Sequence, residues 1–303
     1  MSLSSVASKT FTSALAGVAL AAGTMIVPVA VNAVEAHRAA DITVTAHRGA
    51  SAYAPENTLA AFALGIEQRA DWIESDVQAT KDGELVLMHD TTLSRTTDVE
   101  QRFPGRSPWN VKDFTLAEIK TLDAGSWFSE GYAGEPVPTL TEMVELVRPT
   151  RSGILMELKS PELYPGIEKL VAAEFDSFPG YVPAAVAAGR LAVQSFDFGS
   201  MKTYKSIQPE MPVGLLGTPA YADLDRYTWA DYINPHFGSF DAGYIARVHA
   251  LGMHIHSWTV DDAETMSAVL DRGVDGIITN HPDVLREVIG GRRTPSLDLG
   301  DAA

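Results

Sequence analysis

Trp72-Ile73-Glu74-Ser75-Asp76-Val77-Gln78-Ala79-Thr80-Lys81-Asp82-Gly83-Glu84-Leu85-Val86-Leu87-Met88-His89-Asp90 is the stretch on which the reading of this chain turns. Its first part, Trp72–Val77, is an aromatic and β-branched run of strand character that carries two carboxylates. Acidic groups inside such a strand are costly unless they are paired or metal-bound. Asp82-Gly83 is a strong hairpin turn, so the run Leu85–Asp90 is expected to fold back antiparallel. A two-residue turn there sets Lys81 against Glu84 and, further along, Asp76 against His89. Cross-strand partners share a face, and Glu74 lies two residues back on that same face. Spacing alone brings two carboxylates and an imidazole together.

On either side of this hairpin, short apolar runs alternate with helical patterns, the mark of repeated βαβ units. Strands are expected at Ile42–Ala46, Trp72–Val77, Gly153–Lys159, Leu191–Phe196, Pro212–Leu216, Tyr232–Pro235, Met253–Val260 and Gly276–Thr279. Helices are expected at Thr58–Gln68, Thr141–Val147, Gly166–Glu174, Gly199–Ile207, Asp241–Ala250, Ala263–Asp271 and Val284–Ile289. Eight strands with intervening helices favour a closed α/β TIM (β/α)8 barrel over an open sheet. No Gly-x-Gly-x-x-Gly follows a strand, which lowers a dinucleotide-binding reading. Residues 91–139 interrupt the alternation with scattered Gly and Pro and with Phe103, Trp109, Phe114, Trp127, Phe128 and Tyr132. A long insertion with apolar residues of its own, placed after the hairpin, reads as a small subdomain that shapes or covers a site.

The N-terminus has no charged residue between Lys9 and Glu35, and small-x-small triplets end at Ala33 and Ala36. This reads as an export signal over residues 1–36, followed by the barrel domain at 37–290 and a tail at 291–303. Removing the signal leaves about 267 residues, close to the usual size of one such barrel. The 303-residue chain carries 23 Lys and Arg against 39 Asp and Glu, a formal charge of −16. That balance disfavours nucleic acid and anionic membrane surfaces as partners. Cys 0 removes disulfides, thiolate metal sites and cysteine nucleophiles.

In such barrels the C-terminal strand ends form the working face. There stand His47-Arg48-Gly49, Glu74 and Asp76, His89, Glu157 and Lys159, Gln194 and Trp258. Carboxylate ligands without cysteine point to a hard cation such as Ca²⁺ or Mg²⁺. Two histidines suit paired acid and base work. A guanidinium and an ammonium suit an anionic phosphate oxygen. His254 and His256 read as inward barrel-filling residues, with metal ligation the minority reading, while His236 is left between reaching the site and simply packing. Asp90, Arg95 and Thr96 read as residues that hold the hairpin and insertion in place.

Taken together, these residues resemble the glycerophosphodiester phosphodiesterase family. The resemblance lies in Ala46-His47-Arg48-Gly49, Pro55-Glu56-Asn57-Thr58, Glu74-Ser75-Asp76-Val77 and His89-Asp90. It continues through Asp123-Ala124-Gly125-Ser126-Trp127, Pro138-Thr139-Leu140, Glu157-Leu158-Lys159, Gln194-Ser195-Phe196 and Trp258-Thr259-Val260, in family order from Thr45 to Asp283. It implies a divalent cation held by Glu74, Asp76 and Glu157, with His47 and His89 as the acid/base pair. It implies phosphate binding by Arg48 and Lys159, a glycerol pocket walled by Trp258, and Asn57 near the phosphate or the metal ligands. It inclines the assignment towards His47 as base and His89 as acid. Two positions depart from the family pattern: Asn280 stands where Asp is common, and Ser94 where Asp is frequent. The loop Asp98–Asn110 also looks longer than the common form.

Two other readings compete. One is a phospholipase D-like or lysophospholipid-cleaving barrel, for which Trp109, Phe114, Trp127 and Phe128 would supply an apolar rim. The other is a non-catalytic exported binding protein, which predicts loss of a metal carboxylate or a histidine, yet all five are present.

Overall fold

Eight parallel strands close on themselves in the computed structural model, which describes residues 42–293. In chain order the strands are β1 (Thr43–Ala46), β2 (Trp72–Ala79), β3 (Leu85–Leu87), β4 (Gly153–Leu158) and β5 (Leu191–Ser195). They continue with β6 (Val213–Leu216), β7 (Tyr232–Asn234), β8 (His254–Ser257) and β9 (Gly276–Thr279). The sheet order is β1-β9-β8-β7-β6-β5-β4-β2-β3, and the pairing of β1 with β2 closes the barrel. Only β3 is antiparallel, and it lies beside β2 outside the ring. All eight expected barrel strands are present. The expected export signal at 1–36 and residues 294–303 of the expected tail lie outside the described residues, and the last helix, Pro282–Arg293, takes in the first three tail residues.

Polar side chains at the ends of the strand–helix loops start the helices. Thr58 Oγ1 accepts from Ala61 N at the head of the helix Leu59–Glu67, and Thr139 with Glu142 forms a capping box for Leu140–Val147. Asp197, Asp241 and Asp262 cap three later helices in the same way. Leu140, Met143, Val144 and Val147 recur at the spacing of one helical face and are buried against the sheet. The helix Tyr181–Ala187 was not among those expected. Pro183 sits in the first turn, where an N–H has no intrahelical acceptor and its loss costs nothing. Between β6 and β7 a 3₁₀ segment, Tyr221–Tyr227, replaces the usual crossover helix.

The hairpin differs from expectation by one residue. Val77 pairs with Leu87 and Ala79 with Leu85, so Met88, not His89, lies opposite Asp76 and donates its N–H to the Asp76 carbonyl. The turn has three residues, Lys81-Asp82-Gly83, with Gly83 at φ +87° and Thr80 N donating to Glu84 O. A turn ending in a left-handed residue is the common three-residue alternative to a two-residue loop. Asp82 stabilises it by accepting from Thr80 Oγ1 and Leu116 N, which also fastens the turn to the insertion. β3 ends at Leu87, and a bend at His89-Asp90 turns the imidazole back towards the barrel mouth.

The lower interior of the barrel is filled by Trp72, Tyr232 and His256, whose rings lie 5.0–5.7 Å apart. Gly276 makes room for them, since a Cβ there would lie 2.7 Å from the His256 ring. His256 is therefore the inward filler expected, whereas His254 is exposed at the start of β8, 3.7 Å from Asp275. The insertion has its own apolar centre, including Met88, Leu93, Val111, Phe114 and Ile119. The Asp123 carboxylate accepts from Gly125 N, Ser126 N, Ser126 Oγ and Gly134 N. Gly125 is obligatory in that loop, because a Cβ would meet the Tyr132 carbonyl at 1.9 Å.

Phe114 is fully buried there, with the Arg106 guanidinium 3.7 Å from its ring centre. Phe114→Ala is expected to lower the unfolding free energy by about 3–5 kcal/mol, measured by denaturant titration. A loss under about 1 kcal/mol would mean that the insertion core contributes little to the fold.

Candidate active site

Parallel pairing sets the site. β2 and β4 align Glu74 with Leu155 and Asp76 with Glu157, and β5 sets Gln194 beside Glu157. Alternate residues of these strands face inward, so Glu74, Asp76 and Glu157 meet at the barrel mouth with carboxylate oxygens all within 4.8 Å of one another. Each is at most 6% exposed. Three carboxylates this close, with so little water, repel one another strongly.

Nearby groups offset part of that repulsion. Arg48 N donates to Glu74 Oε2 at 2.8 Å, and Arg48 Nε lies 3.5 Å from Asp76 Oδ2. Lys159 Nζ lies 2.9 Å from Glu157 Oε1 and 3.4 Å from Asp76 Oδ1. Asn57 Nδ2 donates to Asp76 Oδ2 at 2.9 Å. Burial acts against ionised Asp76, but Lys159 and Arg48 outweigh it and hold this carboxyl well below its usual range. Burial and the Asp76 charge push Glu157 up to about 8 and Glu74 well above the ordinary carboxylate value. Three oxygen donors in one buried cluster, two of them reluctant to ionise unaided, form a donor set that fits a hard divalent cation. The triad can hold a metal ion.

The loop after β1 carries backbone strain. Arg48 has φ +56° and Gly49 φ +83°. A Cβ on Gly49 would lie 2.5 Å from the Ala61 backbone, so only glycine lets the helix Leu59–Glu67 approach this loop. The left-handed Arg48 points its backbone N–H at Glu74 while its guanidinium turns to Glu56 and Asp76. Arg48 Nε is buried without a hydrogen-bond partner among the described residues.

His47 and His89 both line the cavity beside the triad. His47 Nδ1 lies 2.7 Å from Asn280 Oδ1, and burial, with the Arg48 charge, lowers its pKa to about 4. His89 Nδ1 lies 2.7 Å from Asp90 Oδ1, and burial lowers its pKa against the pull of the Asp76 charge. Arg95 binds both Asp90 and Glu56, and Glu56 binds Arg48. A continuous chain of charged groups thus runs Arg48–Glu56–Arg95–Asp90–His89. Asp90 and Arg95 hold the hairpin end as expected, and Glu56, to which the residue pattern alone gives no role, joins them by accepting from both Arg48 and Arg95.

The cavity measures about 110 Å³ and is lined by His47, Arg48, Glu74, His89, Glu157, Lys159, Gln194, Phe196 and Trp258, among others. Gln194 is buried, its Oε1 accepting from Asn234 Nδ2, and Trp258 is held by Nε1 donating to the Asn234 carbonyl. Phe196, 53% exposed, stands edge-on to Trp258 and 5.8 Å from Lys159 Nζ. His236 is exposed and packs its ring on Trp258 outside the cavity. Asn57, expected near the phosphate or the metal ligands, is buried behind Asp76, its Oδ1 accepting from Ser75 Oγ and Asp76 N. Its polar atoms are used on β2, so it positions the Asp76 carboxylate and does not line the cavity. A larger hollow of about 780 Å³ beside the last helix contains no histidine, and its Arg286 is paired with Asp71.

A parallel barrel whose mouth joins a buried carboxylate triad, two imidazoles and two fixed cations defines a hydrolase site built for an anionic substrate. The family model described as the glycerophosphoryl diester phosphodiesterase family matches residues 47–284, and the chain belongs to that family. It is 39% identical over 253 residues to a glycerophosphodiester phosphodiesterase of Caldanaerobacter subterraneus subsp. tengcongensis, covering 81% of this chain and 97% of that one. It is 35% identical over 265 residues to a glycerophosphodiester phosphodiesterase of Bacillus subtilis (strain 168), covering 82% and 87%. Among solved structures it is similar to an Oleispira antarctica phosphodiesterase in complex with the product sn-glycerol-3-phosphate. That likeness has a TM-score of 0.71 and 30% identity, over 82% of this chain and 96% of that one.

Asn57 has φ +55°, a conformation Asn tolerates better than Ala, and it satisfies three polar groups of β2. Asn57→Ala is expected to lower the unfolding free energy by about 1–3 kcal/mol, read by chemical denaturation. An unchanged midpoint would show that these bonds contribute nothing net.

Proposed function

We propose that this enzyme hydrolyses glycerophosphodiesters to glycerol 3-phosphate and an alcohol, using His47 as general base and His89 as general acid. The observation that carries the reading is one small cavity lined by both imidazoles, by Arg48 and Lys159, and by Glu74 and Glu157 of the buried carboxylate triad. One divalent cation, Ca²⁺ or Mg²⁺, held by Glu74, Asp76 and Glu157, would supply Lewis-acid charge to the phosphoryl oxygens. Arg48, whose buried Nε has no hydrogen-bond partner among the described residues, and Lys159 bind the remaining phosphate oxygens and stabilise charge as phosphorus becomes five-coordinate. His47, neutral at physiological pH, takes the proton of the attacking oxygen, either that of water or that of the neighbouring glycerol hydroxyl, in which case the cyclic phosphate first formed is opened by water to glycerol 3-phosphate. The new P–O bond forms as the bond to the departing alcohol breaks, and His89 gives its proton to that oxygen. Trp258 and Gln194 wall the glycerol side of the cavity.

A cavity of about 110 Å³ suits a small head group better than a lipid. Phe114 is fully buried and Trp109 packs into the insertion core, so these two rings are not available for the apolar rim of a lipid-cleaving enzyme. The product complex of the Oleispira antarctica relative supports the glycerophosphodiester reading. Export through the segment 1–36 is part of the same proposal, and no helix among the described residues is long and apolar enough to cross a membrane.

His47→Ala and His89→Ala should each lower turnover of glycerophosphocholine by at least about 100-fold. With a p-nitrophenyl diester, whose leaving group needs no proton, His89→Ala should regain most activity and His47→Ala should not. Rescue of His47→Ala instead would reverse the two roles. Thorough chelation should abolish activity and Ca²⁺ or Mg²⁺ restore it; full activity in EDTA would remove the metal from the scheme. Because the folded pKa of Glu157 is raised to about 8, its proton must leave before a cation binds. Calorimetry should therefore show a larger cation-induced rise in Tm at pH 8 than at pH 6, and Glu157→Gln should remove most of it.

A further inference from the structure

Asn280 follows β9 directly, and β9 pairs with β1, so the residues just beyond the two strands, His47 and Asn280, lie side by side. His47 N donates to the Thr279 carbonyl at 2.8 Å and so fixes the backbone of the pair. On the side-chain level Asn280 Nδ2 lies 2.7 Å from Asp261 Oδ2, and Asp261 Oδ1 accepts from Asn280 N at 2.8 Å and from Thr279 Oγ1 at 3.2 Å. A carboxylate only accepts, so the amide can face Asp261 only with its NH₂. Its oxygen is thereby turned towards His47 Nδ1, at 2.7 Å, and towards Ser51 Oγ, also at 2.7 Å. An amide oxygen is itself acceptor-only, so the ring nitrogen facing it must carry the hydrogen.

We propose that Asn280 and Asp261 are positioning residues that hold His47 as its Nδ1–H tautomer and so leave Nε2 as the proton acceptor. The proposal rests on the base role given to His47 above. Neither residue lines the cavity, so both act through His47 and not on the substrate. The arrangement accounts for the amide at position 280, where the family commonly has a carboxylate. The negative charge is kept, but one hydrogen bond further from the ring, on Asp261. A carboxylate at 280 would face Asp261 at hydrogen-bond distance with no proton between them. Asn280 therefore belongs with Asp261 as a unit.

The unit has a direction that substitution can reverse. In Asp261→Asn, the new amide must still accept from Asn280 N, which turns its NH₂ towards the Asn280 side chain. Asn280 then flips, presents its own NH₂ to His47 Nδ1, and drives the ring to the Nε2–H tautomer. The exchanged pair Asp261→Asn with Asn280→Asp restores an acceptor beside Nδ1. Long-range ¹H–¹⁵N correlation of the histidine rings at pH 7.5 reads the tautomer, with the His47 signals assigned by their loss in His47→Gln. Nδ1–H is expected in the wild-type enzyme, Nε2–H in Asp261→Asn, and Nδ1–H again in the exchanged pair. kcat should fall about 10–100-fold in Asp261→Asn with KM unchanged, and recover in the exchanged pair.

An Nε2–H tautomer in the wild-type enzyme overturns the proposal, and this outcome needs no variant to fold. Retention of Nδ1–H in Asp261→Asn overturns it as well. A tautomer that switches as stated while kcat stays constant supports the hydrogen-bond unit and overturns the base role of His47.

Discussion

The mutual repulsion of Glu74, Asp76 and Glu157 inside the barrel mouth is the constraint that the surrounding structure answers. Two like charges 4 Å apart cost on the order of 4 kcal/mol even at an effective dielectric near 20. Lys159 lies 2.9 Å from Glu157, yet the Glu157 carboxyl still titrates far above its normal range, so burial and Asp76 outweigh the single ion pair. The strained Arg48 and the buried Asn57 each deliver a donor to one of these oxygens. A site so charged is held together by geometry that would have little purpose in a structural core.

The two histidines are placed by different means. His47 is part of the barrel, at the end of β1, and its partner is a neutral amide from β9. His89 arrives on a hairpin outside the barrel, and its partner is a carboxylate that Arg95 grips. An ionised neighbour favours the protonated ring and a neutral one does not, so the two imidazoles stand in different electrostatic surroundings. The chain through Glu56 and Arg95 links the insertion's end of the site to Arg48, so the insertion is bonded to the cavity lining and not merely adjacent to it.

Much of this was legible in the residues. Period and strand length marked eight barrel strands, and Asp82-Gly83 marked the hairpin. The carboxylate triad follows from strand-end position and parity, which tertiary packing preserves. The hairpin register did not follow, because Asp82-Gly83 is compatible with both a two- and a three-residue turn, and Thr80 with Glu84 decides between them. The helix Tyr181–Ala187 carries Pro183 in its first turn, and in a string of letters a first-turn proline looks the same as a breaker. The family motif leaves Asn57 between the phosphate and the metal ligands, and only the packing shows its atoms committed to β2. Asn280 looked like a lost carboxylate. Its partner Asp261 lies 19 residues away in sequence on another loop, and no local pattern connects them.

The pairing of β1 with β9 also has a bearing on how the enzyme comes into being. His47 stands at the seam where the first and last strands of the barrel meet, and its hydrogen-bonding neighbours come from both ends of the domain. An incomplete ring could bury most of its apolar residues, and even assemble the carboxylates of β2 and β4, without Asn280 arriving. On the roles proposed for His47 and Asn280, catalytic competence would therefore lag behind compaction during synthesis or refolding and arrive only with closure. Turnover is in this sense a late reporter of topology: it registers the joining of the two chain ends.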